Sequence, residues 1–127
     1  MAPAANGPFR SGSADCKGIR LIQIKDGLSN TIMAGEKHVP LNHFGQGGWD
    51  CSLYNGFNAH CSSRSGGVGY PIAQSINDPN WRWGSYHPFL CQFVFADGSV
   101  HVLTAGISEV TLGYLCQIDD GKVIPPW

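Results

Sequence analysis

The sequence predicts a mainly β domain with a minor helix, an α+β fold built on a small antiparallel sheet. Its 17 Gly and 8 Pro among 127 residues are typical of a chain with many turns and loops. Two apolar segments flank Asp97-Gly98, a dipeptide that favours the turn of a β-hairpin. Hydrophobic residues make up 43% of the chain, which is enough to form a core and argues against general disorder.

The N-terminal part divides into an arm and the start of the domain. Residues 1–15 are small and polar without periodicity, so we expect an extended arm ahead of a single domain at 16–127. Residues 19–25 fit either a strand or a short helical turn. Asp26-Gly27 ends that element, and residues 31–37 predict a strand. Because the arm has little apolar surface to bury, we expect it to lie against the insert of a neighbouring subunit.

Residues 42–86 form a long insert that is rich in glycine and aromatic residues. Two interpretations remain open for it. Its aromatic side chains pack over one face of the sheet as an irregular lid, or they form a contact surface for other subunits or for sugar rings. The candidate interface residues are the three tryptophans of the insert, Trp49, Trp81 and Trp83.

Residues 90–104 predict a C-terminal β-hairpin with Asp97-Gly98 as a two-residue type I′ turn. In that register the cross-strand pairs are Phe95–Val100, Phe93–Val102 and Cys91–Thr104. The predicted core face therefore carries Phe93, Phe95, Val100 and Val102.

The last segment predicts the minor helix. Residues 107–116 have Ser108 as a candidate N-cap and Glu109 in the first turn, where the helix dipole favours a carboxylate. Asp119-Asp120-Gly121-Lys122 predicts a turn. Val123-Ile124 predicts a short final strand.

The charge of the chain excludes several classes of partner. Net charge is −1, and only 13% of residues are charged. Such a surface offers no electrostatic footprint for nucleic acid or an anionic membrane, and the sequence has no apolar segment of membrane-spanning length. Weak charge also lowers the repulsion between copies, so self-association is favoured.

No catalytic or metal-binding pattern is found. The five histidines lack the His-Glu-x-x-His spacing, and a nucleophile elbow and a complete P-loop are absent. We therefore expect no enzyme activity, no metal and no cofactor. The turn at Asn77-Asp78-Pro79-Asn80 has oxygens of the kind that bind Ca²⁺, without the regular acidic spacing of a calcium loop.

The remaining polar residues are interpreted as scaffold. His87 precedes Pro88, which restricts it to extended geometry, and we expect it to make a fixed hydrogen bond at the base of the hairpin. Asp26, Ser29 and Asn30 surround one glycine, as a sharp bend requires to satisfy its backbone groups, and we expect Asn30 to make at least two bonds to the main chain.

Two segments carry a family resemblance. One is His87, nine further residues and Asp97-Gly98, followed by Ser99-Val100. The other begins Asp26-Gly27-Leu28-Ser29-Asn30-Thr31 and ends in Glu36. Together they resemble the pseudopilin-like proteins abundant in planctomycete bacteria, a family of unknown function, over residues 16–124. Phe89 and Leu90 stand where that family usually has small glycines.

The resemblance implies an exported protein with a pseudopilin-like fold. Family members begin with a processed leader and a long apolar helix, which residues 1–15 do not resemble, so we expect the fold without its N-terminal helix. Export favours disulfides over buried free thiols, with Cys51–Cys61 as the expected pair. We expect a self-assembling structural subunit of an extracellular filament, tube or surface layer. The alternative is a cell-surface module that binds polysaccharide or Ca²⁺.

Overall fold

The structure of this chain is a computed structural model that describes residues 7–8, 18–52, 62–79 and 81–127. Their elements in chain order are two 3-10 helices (Leu21–Gln23 and Leu28–Asn30), the strands β1 (Ile32–Gly35), β2 (Leu90–Phe95) and β3 (Val100–Thr104), and the helix α1 (Glu109–Leu115). The strands form an antiparallel sheet in the order β1-β2-β3. The predicted mainly β fold with a minor helix is confirmed.

The core lies between the inner face of the sheet and α1. Phe93 and Phe95 of β2 are buried in the same apolar cluster as Leu112 and Leu115 of α1. Gly35 of β1 faces the Phe93 ring so closely that an added Cβ would lie 2.5 Å from it. Glycine is therefore required at this point for β1 to pair with β2. The other members of the cluster are Ile32, Ile72, Cys91, Leu103 and Ala105.

The β2–β3 hairpin is present, but its loop has three residues instead of the predicted two. The Phe95 N–H donates to the Ser99 carbonyl, and the Gly98 N–H donates to the Phe95 carbonyl, both at 2.9 Å. Of the Asp97-Gly98 pair, only Gly98 has a positive φ, at 86°. This is a type I turn followed by a left-handed glycine, whereas a type I′ turn needs both residues at positive φ.

The longer loop shifts the strand register by one residue, so the predicted cross-strand pairs are wrong. A one-residue shift turns the whole of β3 over, because side chains alternate between faces. Phe93 and Phe95 point into the core as predicted, but Val100 and Val102 are 61% and 54% exposed. The observed pairs are Leu90–Thr104, Cys91–Leu103, Gln92–Val102, Phe93–His101 and Val94–Val100.

The C-terminal segment agrees with the prediction only in part. Ser108 occupies the N-cap of α1 without a side-chain capping bond, and the Glu109 carboxylate accepts the Gly69 N–H at 2.7 Å. The predicted strand at Val123-Ile124 is wrong, since those residues are irregular and Val123 is exposed. The two prolines that follow have no N–H to donate, which disfavours strand pairing at this point.

The segment around residue 20 resolves as a 3-10 helix at Leu21–Gln23, one of its two predicted alternatives. β1 is shorter than the predicted strand at 31–37, and its pairing with β2 is irregular between Ile32 and Ala34. Of the predicted arm, only Gly7 and Pro8 are described, and Gly7 lies next to the Cys116 carbonyl of the same chain. Contact of the arm with a neighbouring subunit stays a prediction.

The described parts of the insert are irregular but joined to the sheet. Lys37 forms an isolated bridge with Trp83, and Ser65 forms another with Arg82. The Trp83 ring packs edge-on against Phe93, with ring centroids 5.5 Å apart. Across the residues that the structure describes, none of the helices is long and apolar enough to cross a membrane.

Candidate functional site

The two segments that carry the resemblance meet in space and form the candidate site. We call residues 26–36 the first block and residues 87–98 the second block. At the start of the first block, the Asp26 carboxylate accepts the N–H groups of Asp120 and Gly121, at 2.8 and 2.9 Å. Asp26 therefore ties the first block to the C-terminal turn, 94 residues further along the chain.

The bend after Asp26 is held by side chains that bond to the main chain. Gly27 has a φ of 98°, and its carbonyl accepts both the Asn30 N–H and the Thr31 hydroxyl. The Asn30 side-chain amide donates to the Asp26 carbonyl at 3.1 Å. Ser29 is exposed on the outside of the bend. The polar residues around Gly27 thus shape the bend, while the second main-chain bond expected from the Asn30 side chain stays a prediction.

The blocks touch first at the hairpin loop. The Ala96 N–H donates to the Thr31 carbonyl at 2.8 Å, and the Asp97 N–H donates to the Leu28 carbonyl at 3.2 Å. The Asp97 carboxylate accepts the hydroxyl and the backbone N–H of Ser99, which lowers the pKa of Asp97 below its ordinary value. The loop at Asp97-Gly98 therefore closes the hairpin and is also hydrogen-bonded to the bend of the first block.

The blocks touch again at Glu36 and His87. One oxygen of the Glu36 carboxylate accepts the Gln92 N–H at 2.7 Å, and the other lies 3.4 Å from the His87 imidazole. The His87 N–H donates to the Ser85 hydroxyl, which in turn donates to the Leu90 carbonyl at 2.6 Å. Glu36 and His87 therefore fix the backbone at the start of β2. The contact is partly exposed, so a strong ion pair is not expected.

A serine and a histidine also lie together beside the loop, but the hydrogen bond between them runs in the wrong direction to activate the serine as a nucleophile. The Ser99 hydroxyl donates to Asp97 at 2.6 Å and lies 2.9 Å from the His101 Nε2. Because the single hydroxyl hydrogen is directed to Asp97, Nε2 donates to Ser99. A histidine acting as general base would accept that hydrogen. The arrangement braces the turn.

The described thiols are poor nucleophiles. Cys91 and Cys116 are free, and burial raises the pKa of each thiol to about 12. The Trp83 indole N–H faces Cys116 and lowers its pKa, but by less than burial raises it. Cys61 lies outside the described residues, so the Cys51–Cys61 pair stays a prediction.

The described histidines and acidic residues are dispersed. His38 is buried, its Nε2 lies 2.9 Å from the Asp78 carbonyl, and desolvation lowers its pKa. The Asp78 carboxylate accepts the N–H groups of Gln74 and Ser75 and lies 3.6 Å from Arg82. Within the described ranges, no three His, Cys, Asp or Glu residues are grouped so that they could hold a metal ion.

The candidate interface tryptophans lie in different environments. Trp83 packs against the core, Trp49 stacks on His43 with ring centroids 3.9 Å apart, and Trp81 is exposed. Phe44 and Tyr86 form a second aromatic pair, and both rings are exposed. The insert thus supplies both a lid residue and exposed aromatic surface.

Two features were not predicted from the sequence. Phe89 has a positive φ of 57° and is 77% exposed, a strained backbone for an aromatic residue. The resembling family usually has a glycine at this place, and that glycine was the available signal of a positive φ. The second feature is a cleft of about 430 Å³ between β3, the start of α1 and Trp127.

These contacts define a small β-rich domain in which polar residues of both blocks form hydrogen bonds to the backbone of the same chain. The chain belongs to the family SBP_bac_10, "Protein of unknown function (DUF1559)", whose model matches residues 2–109. The match includes both blocks and the hairpin. No curated protein and no solved structure matches the chain.

Proposed function

We propose that this chain is a structural, self-assembling subunit of an extracellular filament, tube or surface layer, with a pseudopilin-like domain. The observation that carries the proposal is the contrast within the hairpin. The two blocks are occupied with internal bonds, while the outer face of the sheet presents apolar residues to solvent. Those exposed residues are Leu90, Val94, Val100 and Val102.

The bonding of the blocks supports a scaffold role. Asp26, Asp97 and Glu36 each accept one or two backbone N–H groups, so all three carboxylates fix the course of the main chain. A subunit of an assembly needs a rigid fold and an available surface, and it needs no reactive centre. Export to the cell surface is part of the same proposal.

Sedimentation velocity and negative-stain microscopy of the whole chain test this function. The monomer has a mass of 13.7 kDa. We expect particles several times heavier as concentration rises, with regular arrays in the microscope. A chain that stays at the monomer mass at all concentrations would contradict the proposal.

Binding of a surface glycan is the second candidate. The exposed rings of Phe44, Trp81 and Tyr86 favour it, because aromatic faces stack on sugar rings. Titration with oligosaccharides, read by tryptophan fluorescence, tests it. A saturable change that Trp81→Ala removes and Trp49→Phe retains would support binding at Trp81.

A further inference from the structure

The outer edge of β3 has backbone groups that no strand of the described chain pairs with. β3 is the last strand in the order β1-β2-β3, and none of the isolated bridges involves it. The Phe95 N–H donates to the Ser99 carbonyl, so the main-chain groups of every second residue from Ser99 face β2. Those of Val100, Val102 and Thr104 therefore face away. Of these, the Thr104 carbonyl accepts the Ile107 N–H at 3.0 Å and keeps a second lone pair. The cleft along Val102 to Thr104 leaves room beside this edge.

The two edges of the sheet differ in their protection. β1 has only four residues, and its pairing is irregular between Ile32 and Ala34, which are features that block further strand pairing. β3 has five regularly paired residues, without proline, lysine or a bulge. Within the described ranges, β3 is therefore the edge that lacks protection.

The face beside this edge is free of charge. It consists of Leu90, Gln92, Val94, Val100, Val102 and Thr104. When two copies meet through the same surface, that surface faces itself, and a surface charged with one sign would repel its copy. An uncharged, apolar face is electrostatically compatible with its own copy and offers nothing to a partner that recognises charge.

We propose that two copies of this chain pair through β3, antiparallel, about a two-fold axis at Val102. Val102 then lies opposite Val102 of the partner subunit, and Val100 opposite Thr104 of the partner subunit. Only this register pairs the whole strand, because Val102 is its middle residue. The two sheets become one continuous six-stranded sheet. This pairing rests on the proposed self-assembly and names one of its contacts.

The area at the edge predicts a weak pair. The outer face has only four apolar side chains, each between 39% and 61% exposed, so the apolar area that it can bury is well below that of a stable interface. A stable complex of standard size buries about 800 Å² per partner. The β3 pair should therefore form at high concentration or where other contacts in an array reinforce it. A two-fold contact closes on itself, so an extended array also needs a second, different contact.

Cross-linking through introduced cysteines tests the register. Residues directly opposite in a hydrogen-bonded antiparallel pair have Cα atoms about 5.5 Å apart, within disulfide range. Val102→Cys should therefore form a disulfide-linked dimer under mild oxidation. Val100→Cys is the matched control, since its copies would lie about 14 Å apart along the strand. Mixing Val100→Cys with Thr104→Cys should restore the dimer. The unsubstituted chain gives the background of the native cysteines.

The outcomes separate this pairing from self-assembly in general. We expect at least about tenfold more dimer from Val102→Cys than from Val100→Cys, because disulfide formation depends steeply on geometry. Equal cross-linking of the two variants, or none from Val102→Cys under conditions where the unsubstituted chain associates, overturns the β3 pairing and leaves the proposed function standing. An unsubstituted chain that never associates overturns both.

A second pair of variants keeps the test decisive if an introduced cysteine disturbs the fold. Val102→Lys places like charges opposite each other at the axis and should weaken association by about tenfold or more. Val123→Lys, at an exposed residue that belongs to none of the strands, should leave association unchanged. Circular dichroism confirms that both variants are folded. Association of Val102→Lys equal to that of Val123→Lys would reject the proposed edge.

Discussion

The inner and outer faces of the β2–β3 hairpin are both apolar, yet the fold uses them differently. Cys91, Phe93 and Phe95 on the inner face are buried, while Leu90 and Val94, which alternate with them, are about 40% exposed. Burial of the inner face stabilises the monomer. The outer face is only partly buried, so its apolar side chains should contribute less to that stability, and they remain available for the proposed contact between copies.

The largest change in the free energy of unfolding is expected from a substitution on the inner face. Phe95→Ala should lower the free energy of unfolding by about 3–5 kcal/mol, because it leaves a cavity among the core residues. Val94→Ala on the outer face should cost less than about 1 kcal/mol. Urea denaturation of both variants measures the difference. Equal losses would show that the outer face is as important to the monomer as the core.

Asp26 extends the comparison to polar contacts. Asp26→Ala removes the acceptor of two backbone N–H groups in the C-terminal turn and should lower the free energy of unfolding by about 1–3 kcal/mol. Asp119→Ala is the matched control, since Asp119 makes an exposed ion pair with Lys25 and should matter much less. Thermal unfolding checks both. An Asp26 variant as stable as the Asp119 variant would contradict the scaffold role.

Phe89 predicts a gain in stability. Its backbone is left-handed, which costs a residue other than glycine about 1–2 kcal/mol, and its exposed ring returns little of that by burial. Phe89→Gly should therefore raise the free energy of unfolding by about 1 kcal/mol, after the added entropy of the unfolded glycine chain is subtracted. Chemical denaturation of the variant and of Phe89→Ala, which keeps the strain, measures the gain. A loss for Phe89→Gly would assign the ring a packing role.

The smallest expected effect concerns Asp97. Hydrogen bonds from Ser99 depress the pKa of this carboxyl in the folded state. Its contribution to stability is therefore present above the unfolded pKa of about 3.9 and is lost as pH falls through the folded value. The carboxyl is fully exposed, so the change in stability should be slight. NMR titration should place its midpoint below that of the unfolded chain, and Ser99→Ala should raise it. An unshifted midpoint would contradict the turn geometry.

Local sequence signals predicted the hairpin and the helix but not the register of the hairpin. Alternation of apolar residues and Asp97-Gly98 were enough to predict the hairpin and the burial of Phe93 and Phe95. They did not decide whether Asp97 itself takes a positive φ, a small conformational difference that determines the loop length. That choice exposes Val100 and Val102, so an error of one residue changed the description of a whole strand.

The candidate site was predicted as residues but not as contacts. The sequence indicated that Asp26, Glu36, His87 and Asp97 are scaffold, but it gave no sign that the first block meets the second. Asp26 bonds to Asp120 and Gly121 near the other end of the chain, and nothing local marks such partners. Contacts of this kind depend on the path of the insert, whose irregular backbone has no periodicity to read.

The buried thiol of Cys91 makes the opening of the sheet measurable. Its thiol is fully buried in the central strand, and its pKa of about 12 keeps it unreactive in the native state. A thiol reagent can modify it only when β2 separates from its neighbours, so the labelling rate measures that opening. Cys116, at the C-terminal end of α1, lies so close to Gly66 that a Cβ added there would be 2.7 Å from its sulfur, so its labelling should report on the separation of the insert from α1. Equal rates at the two thiols would mean that hairpin and helix unfold as one cooperative unit.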